Sequence, residues 1–288
     1  MSEKPRLSYV GTERAASVVA LRLNHVRRIR AELEAEPARL RQRRVSLLLE
    51  DLTSIGASRY ALGADVAECR EPLSEGVSAC IELFRLRGRQ EVFPVLDLVV
   101  DPSKPKGDPD RARLTRRHEP GTKDYSLTNS KDGYWHVCLA LGIDEQQKAR
   151  ELAAMIWDPP DADYIGRRST VCTPNDQALA YALRHFLADE PQEAASALCR
   201  VRTLPGDYVG LQAELLRCVM RSDASGFVVG LSALLARHEQ LSRRDPWNPK
   251  LYICVPALGL TALALAAGFV TAEQAPRNVY LPLGFLGR

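Results

Sequence analysis

Aromatic side chains are scarce, at 6% of the chain with three tryptophans. Sheet cores draw on aromatic and β-branched residues. Their scarcity beside abundant leucine and alanine points to packed helices instead. A dominant charge sign is also missing: 39 basic residues face 36 acidic ones, for a net charge of +3 and a pI near 8.5. That excess is too small to imply nucleic-acid binding by itself. There is no CxxC pair, and the seven cysteines, Cys69, Cys80, Cys138, Cys172, Cys199, Cys218 and Cys254, are odd in number and widely spaced. A zinc ribbon and a thioredoxin-type site are therefore not suggested, and free thiols in apolar surroundings point to a reducing compartment. The motifs GxxxxGK[ST], GxGxxG, HExxH and GxSxG are absent, as is a calcium loop. The opening MSEKPRLSYVGTERAAS lacks an apolar signal core. These absences set the expectation of a soluble, cytoplasmic protein without cofactor, metal or catalytic residues.

Hydrophobic residues make up 45% of the 288, enough for a sizeable core. Their spacing is mostly that of helices. A first helix is expected over 13–36, with Val18, Leu21, Val26 and Ile29 on its apolar side and Pro37 as its stop. A second is expected over 38–56, ending at Gly56, and two more over 58–70 and 72–87, separated near Pro72. Asp144 is expected to cap a helix reaching Trp157, with Gln147 completing a capping box. Thr173, Pro174 and Asp176 carry a full helix-start signal. Further helices are expected near 191–202, 207–221, 225–243 and 250–268. The short connections favour antiparallel hairpins stacked in layers, an all-α fold.

Two stretches depart from that pattern. Residues 91–100, EVFPVLDLVV, are rich in β-branched residues, yet Pro94 opposes a central strand; an extended or short helical connection is expected. Residues 101–133 are dominated by Pro, Gly, Asp, Lys, Arg and Ser, and are expected to form one long polar loop. This loop would separate an N-terminal helical part, 1–100, from a C-terminal one, 134–288, unless both belong to one continuous domain. Residues 251–272 carry no charge and are long enough to span a bilayer. Pro256, Gly259 and the many alanines favour a buried helix, so no membrane partner is expected.

Candidate sites are few. Basic residues cluster at Arg27, Arg28 and Arg30 and again at Arg39, Arg41, Arg43 and Arg44, with Glu32, Glu34 and Glu36 between the two clusters. Arg28–Glu32 and Arg30–Glu34 have the spacing of i,i+4 pairs on a solvated helical face. Arg113 and His118 have a ribonuclease-like spacing, and Cys138 follows His136 by two, but neither pair has local structure to position it for catalysis. The five histidines share no metal-ligand spacing. The polar segment offers charge-assisted hydrogen bonds from Arg113, Arg116, Arg117 and Asp124, with Tyr125 as an aromatic anchor. Trp247, between Pro246 and Asn248, is a further candidate for partner contact.

One internal echo stands out: Tyr134–Gly142 and Tyr252–Gly259 are both small-residue segments suited to close backbone approach. Together with Asp176–Asp189, Pro256–Gly268 and Asn278–Leu283, they give the second half its character. In these segments the chain resembles the helical immunity proteins of bacterial polymorphic-toxin and type VI secretion systems, most of all the immunity protein 49 family. The resemblance spans about half the chain and lies in packing residues. It implies an all-α protein that is not an enzyme and that neutralises a cognate secreted toxin by occlusion. The mildly basic pI differs from the acidic character of many immunity proteins that mask basic nucleases. A helical scaffold or adaptor for other protein partners is the alternative.

Overall fold

Leucine-rich helical patterns separated by short polar breaks organise the chain. In the computed structural model, the described residues are 7, 11–35, 38–86, 95–100, 112–117, 128–156, 172–202, 204 and 206–286. Helix α1 covers Thr12–Ala35, α2 Ala38–Ala61 and α3 Val66–Leu86. Strands β1, Val95–Val100, and β2, Ala112–Arg117, follow. Then come α4, Ser130–Gly142; α5, Gln146–Ala154; α6, Pro174–Leu187; α7, Pro191–Cys199; α8, Tyr208–Arg221; α9, Ala224–Arg244; and α10, Val255–Ala266. Short 3-10 turns lie at Pro249–Leu251 and Leu283–Leu286. The fold is all-α, and helices consecutive in the chain pack side by side.

The centre of the protein is the pairing of α4 with α10. A Cβ at Gly259 would stand 2.5 Å from the Cys138 carbonyl oxygen and 2.6 Å from its Cα, so the two backbones touch where the glycine leaves room. Gly142 repeats the arrangement from the other side, where a Cβ would meet Leu258 Cγ at 2.6 Å. The two halves of the sequence echo thus pack on each other. Every residue of α10 from Val255 to Leu265 is buried. The stretch Pro249–Ala266 has a mean hydropathy of 1.5, long and apolar enough to cross a membrane, but 78% of it is buried inside the fold. Pro256 does not break this helix; it lies in its first turn, where a missing N–H costs nothing.

One apolar cluster reaches from Leu73 on α3 through Leu139 on α4 and Leu258 on α10 to Phe285 near the C-terminus. Polar clasps hold the same elements. Arg70 donates from Nε to the Ile143 carbonyl at 2.8 Å and from Nη2 to the Phe285 carbonyl at 3.1 Å. Tyr60 donates to the Val279 carbonyl at 2.5 Å, and its ring meets Phe285 edge-on at 5.7 Å.

Three turns use one device. Asp144, Asp189 and Ser222 have φ of 62°, 60° and 52°. After each, the next amide closes back on the preceding helix: Glu145 to the Ala140 carbonyl, Glu190 to His185 and Asp223 to Cys218. These are Schellman closures with a polar residue where glycine is usual, and they turn α4 into α5, α6 into α7 and α8 into α9. This corrects the expected role of Asp144: it ends α4, and the N-cap of α5 is Glu145, whose side chain makes no cap bond. The Thr173 cap forms as expected, with Thr173 Oγ1 accepting from the Asp176 amide at 3.2 Å and Asp176 Oδ2 accepting from the Thr173 amide at 2.8 Å.

Other boundaries also differ from expectation. Helix α2 does not stop at Gly56 but runs on to Ala61. The glycine serves a crossing, since a Cβ there would lie 2.5 Å from Leu73 Cγ and 2.8 Å from the Cys69 carbonyl. The two helices expected on either side of Pro72 are one helix, α3. Proline removes the bond that the Glu68 carbonyl would have accepted, and Arg59 Nη1 donates to that carbonyl at 2.8 Å instead. The segment expected to be a polar loop over 101–133 contains a strand. β1 and β2 pair antiparallel, with Val95 opposite Arg117 and Val100 opposite Ala112.

Candidate interaction surface and a buried cysteine–histidine cluster

Helix α1 lies at the edge of the fold and packs along α2, with no other helix engaged to a comparable extent. Its buried side is narrow: Ala15, Val26 and Ile29 are buried. Leu21, expected on that side, is instead 71% exposed. It borders an open groove of about 660 Å³ lined by Val18, Leu21, Arg22, His25, Arg28 and Asp51. Spacings of three and four bring the α1 members to one face. Asp51 comes from α2 and is buried. Arg22 Nη1 donates to Asp51 Oδ1 at 2.6 Å, and His25 Nδ1 lies 2.5 Å from Oδ2. The His25 contact is an ion-pair distance without hydrogen-bond alignment, for Oδ2 accepts no aligned hydrogen bond. The buried carboxylate therefore anchors Arg22 and holds a cation at the floor of the groove.

The expected charge pairs on this surface are partly rearranged. Arg28 does reach Glu32, at 3.7 Å. Arg30 bonds Glu75 on α3 at 2.5 Å rather than Glu34, Arg41 bonds Glu82 at 2.7 Å, and Arg44 forms an ion pair with Glu32 at 2.7 Å without hydrogen-bond alignment. These arginines cross between helices instead of running along one face.

The sequence-selected contact residues are not brought together here. Arg113, Arg116 and Arg117 lie on β2, in register with Val99, Leu96 and Val95, and not in an irregular loop. The reason is the neighbouring β-branched run, whose backbone groups find partners in β2 although β2 lacks an apolar alternation of its own. Asp124, Tyr125, His118 and Trp157 lie outside the described residues. Trp247 is 48% exposed, and the Arg14 guanidinium sits 4.0 Å above its ring. It joins the start of α1 to the turn after α9, so part of its face is already used.

A second arrangement escaped sequence reasoning. Tyr208 on α8, His238 on α9 and Cys254 at the start of α10 meet in the core. The Tyr208 hydroxyl is 2.9 Å from His238 Nδ1 and 3.6 Å from Cys254 Sγ, while His238 Nε2 lies 3.0 Å from the Leu251 carbonyl. That carbonyl can only accept, so Nε2 carries a proton, and Nδ1 accepts from the phenol whenever the ring is neutral. Burial pushes the Tyr208 phenol up, keeping it a donor. Desolvation acts to raise the Cys254 thiol and lower the His238 imidazole, but each is drawn further the other way by its partner. A thiol with depressed pKa beside a histidine is the chemistry of a nucleophile. Here Cys254 is 0% and His238 1% exposed, so no substrate reaches the sulfur in this conformation. The cluster ties three helices by hydrogen bonds.

His136 lines another cavity, of about 190 Å³, with Glu50, Cys80, Asp132 and Lys250 among its walls. Its Nδ1 donates to the Asp132 carbonyl at 2.8 Å. Burial first, then Lys250, pulls its pKa down to about 4 against the opposing pull of Asp132, so the ring is neutral at pH 7. His185 is held by Glu190 Oε2, 2.6 Å from its Nδ1. No group of three or more His, Cys, Asp or Glu able to hold a metal ion occurs among the described residues.

Comparison with known proteins returns no match: no family model, curated protein or solved structure aligns with this chain.

Proposed function

We propose that this chain is an immunity protein that binds a cognate secreted bacterial toxin and neutralises it by occlusion. The observation that carries the reading is the division of labour within the chain. The segments that resemble immunity proteins lie in α4, α6 and α10 and build the interior. The outer helix α1, by contrast, presents an exposed leucine within a groove edged by arginines. Apolar surface rimmed by charge is how a protein partner is commonly engaged. Inhibition by occlusion needs such a surface and no reacting groups. The chain would act in the cytoplasm, where its thiols stay reduced.

Co-expression tests this directly. The product of a toxin gene adjacent to this one, expressed alone, should arrest growth, and this chain should restore it through a complex that survives gel filtration. Binding without rescue would make the chain an adaptor; neither binding nor rescue would remove the immunity reading.

A further inference from the structure

Helices α2, α3 and α4 and the 3-10 turn at Pro249–Leu251 leave between them the cavity that His136 lines. Its volume of about 190 Å³ has room for on the order of six waters at ~30 Å³ each, or for one small molecule of similar size. The floor is buried: His136, Cys80, Leu49 and Leu83 are each at most 9% exposed. Glu50 and Lys250, both exposed, stand at the rim. His136 Nδ1 directs its proton at the Asp132 carbonyl, so Nε2 of the neutral ring is an acceptor. Among the described residues no group donates to Nε2, and it is not sealed off by protein atoms, so it faces the cavity. Lys250 lines the same cavity as Asp132 and Glu50, and its charge acts on the His136 ring. Yet Lys250 pairs with neither carboxylate: Asp132 Oδ2 accepts from Asn129 at 2.6 Å, and Glu50 only approaches Arg22, at 3.9 Å. The Ser46 hydroxyl, on the cavity wall, is likewise without a partner among the described residues.

Opposite charges held apart on one small polar cavity, with a free acceptor on its floor, are completed by a ligand that carries both charges. We propose that this cavity binds a small zwitterion of the α-amino acid class, its ammonium donating to His136 Nε2 and the Asp132 carboxylate and its carboxylate accepting from Lys250 Nζ and Ser46 Oγ. Leu49 and Leu83 supply an apolar wall for a short side chain. A simple anion would meet the like charges of Asp132 and Glu50, and a bare amine would leave Lys250 unpaired. A metal ion would need a group of three or more His, Cys, Asp or Glu, and none able to hold one occurs among the described residues. This ligand site goes beyond the immunity reading and does not depend on it.

Isothermal titration calorimetry of the full chain at neutral pH takes glycine, L-alanine and L-serine, each beside its decarboxylated amine and its deaminated acid. At least one of the amino acids should bind, and at least about tenfold more tightly than either of its analogues, the loss of one charge-assisted contact being worth about that factor or more. Lys250→Met should weaken that binding about tenfold or more, and Ser46→Ala less. Both positions are at least partly exposed, so the variants keep their fold, which circular dichroism checks. Lys131→Met on α4, exposed and outside the cavity, should leave binding unchanged. An amine that binds as tightly as its amino acid makes the cavity a cation site, an acid that does so makes it an anion site, and either result overturns the proposal. So does the absence of binding by all three amino acids, or full binding by Lys250→Met. No toxin enters this experiment, so its outcome and that of co-expression are read separately.

Discussion

Replacing Gly259 with alanine adds one methyl group where α10 crosses α4. Two effects oppose each other. Alanine is the better helix former by about 1 kcal/mol. The new Cβ, however, would lie 2.5 Å from the Cys138 carbonyl oxygen and 2.6 Å from its Cα, roughly 1 Å inside ordinary contact. The obstacle is main chain, so no rotamer change relieves it, and α10 must move as a body. Its neighbours are buried along its whole length, so that movement opens gaps elsewhere. Overpacking in cores costs about 1–3 kcal/mol where side chains can yield; here the upper end applies. The net loss should be about 2 kcal/mol. Gly230→Ala on α9 is the control: its nearest neighbour is the end of the Leu215 side chain, 3.2 Å away, and the helix-propensity gain should leave stability unchanged or up to about 1 kcal/mol higher. Urea unfolding followed by circular dichroism, with slopes compared to confirm that the same surface is exposed, measures both. A Gly259→Ala protein within about 0.5 kcal/mol of wild type would refute the backbone-contact account, since such a change is within the scatter of ordinary surface substitutions.

Three further outcomes follow from the geometry. His136 has a folded pKa of about 4, below its ordinary 6.5; its neutral form is the one that folds well, so its contribution is full above the unfolded pKa and is lost as pH falls through the window from 6.5 to 4. The loss should approach about 3 kcal/mol at the acid end, and a His136→Gln variant should show a flatter stability profile across that window; parallel profiles would remove His136 as the cause. Arg59→Ala should cost about 1 kcal/mol by stripping the Glu68 carbonyl of its donor, and clearly less in a Pro72→Ala background, where the helix supplies its own bond; equal losses in a double-mutant cycle would separate the two residues. Asp189→Gly should raise the melting temperature, because the exposed aspartate holds φ of 60° at a cost that glycine avoids, of about 1 kcal/mol; an unchanged or lower midpoint would argue that its side chain has a role of its own.

Much of the helical architecture is legible without coordinates because helix signals are local. The Thr173–Asp176 cap, the prolines at the starts of α6 and α7 and the polar break before α9 involve residues within a turn of one another, so they work in any tertiary setting. The suitability of the Tyr134 and Tyr252 segments for close packing is likewise written in their small residues. Whether they pack on each other is not, since nothing in either segment encodes a partner more than a hundred residues away. The same division explains the other departures. Gly56 reads as a stop because a lone glycine lowers helix propensity, yet α3 crossing at that point makes it the residue that fits. Pro72 reads as a break because the sequence cannot show Arg59 arriving to satisfy the freed carbonyl. Strand β2 has no apolar alternation to announce it and exists through pairing with β1. The candidate surface follows this rule too. The arginines of α1 are visible in the sequence, but Asp51 beneath them and the exposure of Leu21 depend on which side α2 occupies. The Tyr208–His238–Cys254 cluster comes from three separate elements, and only folding brings their hydrogen-bonding atoms within reach. Sequence determined the elements through interactions a few residues long. The crossings, the buried polar clusters and the outward face of α1 were decided by tertiary packing, because each depends on a neighbour distant in the chain.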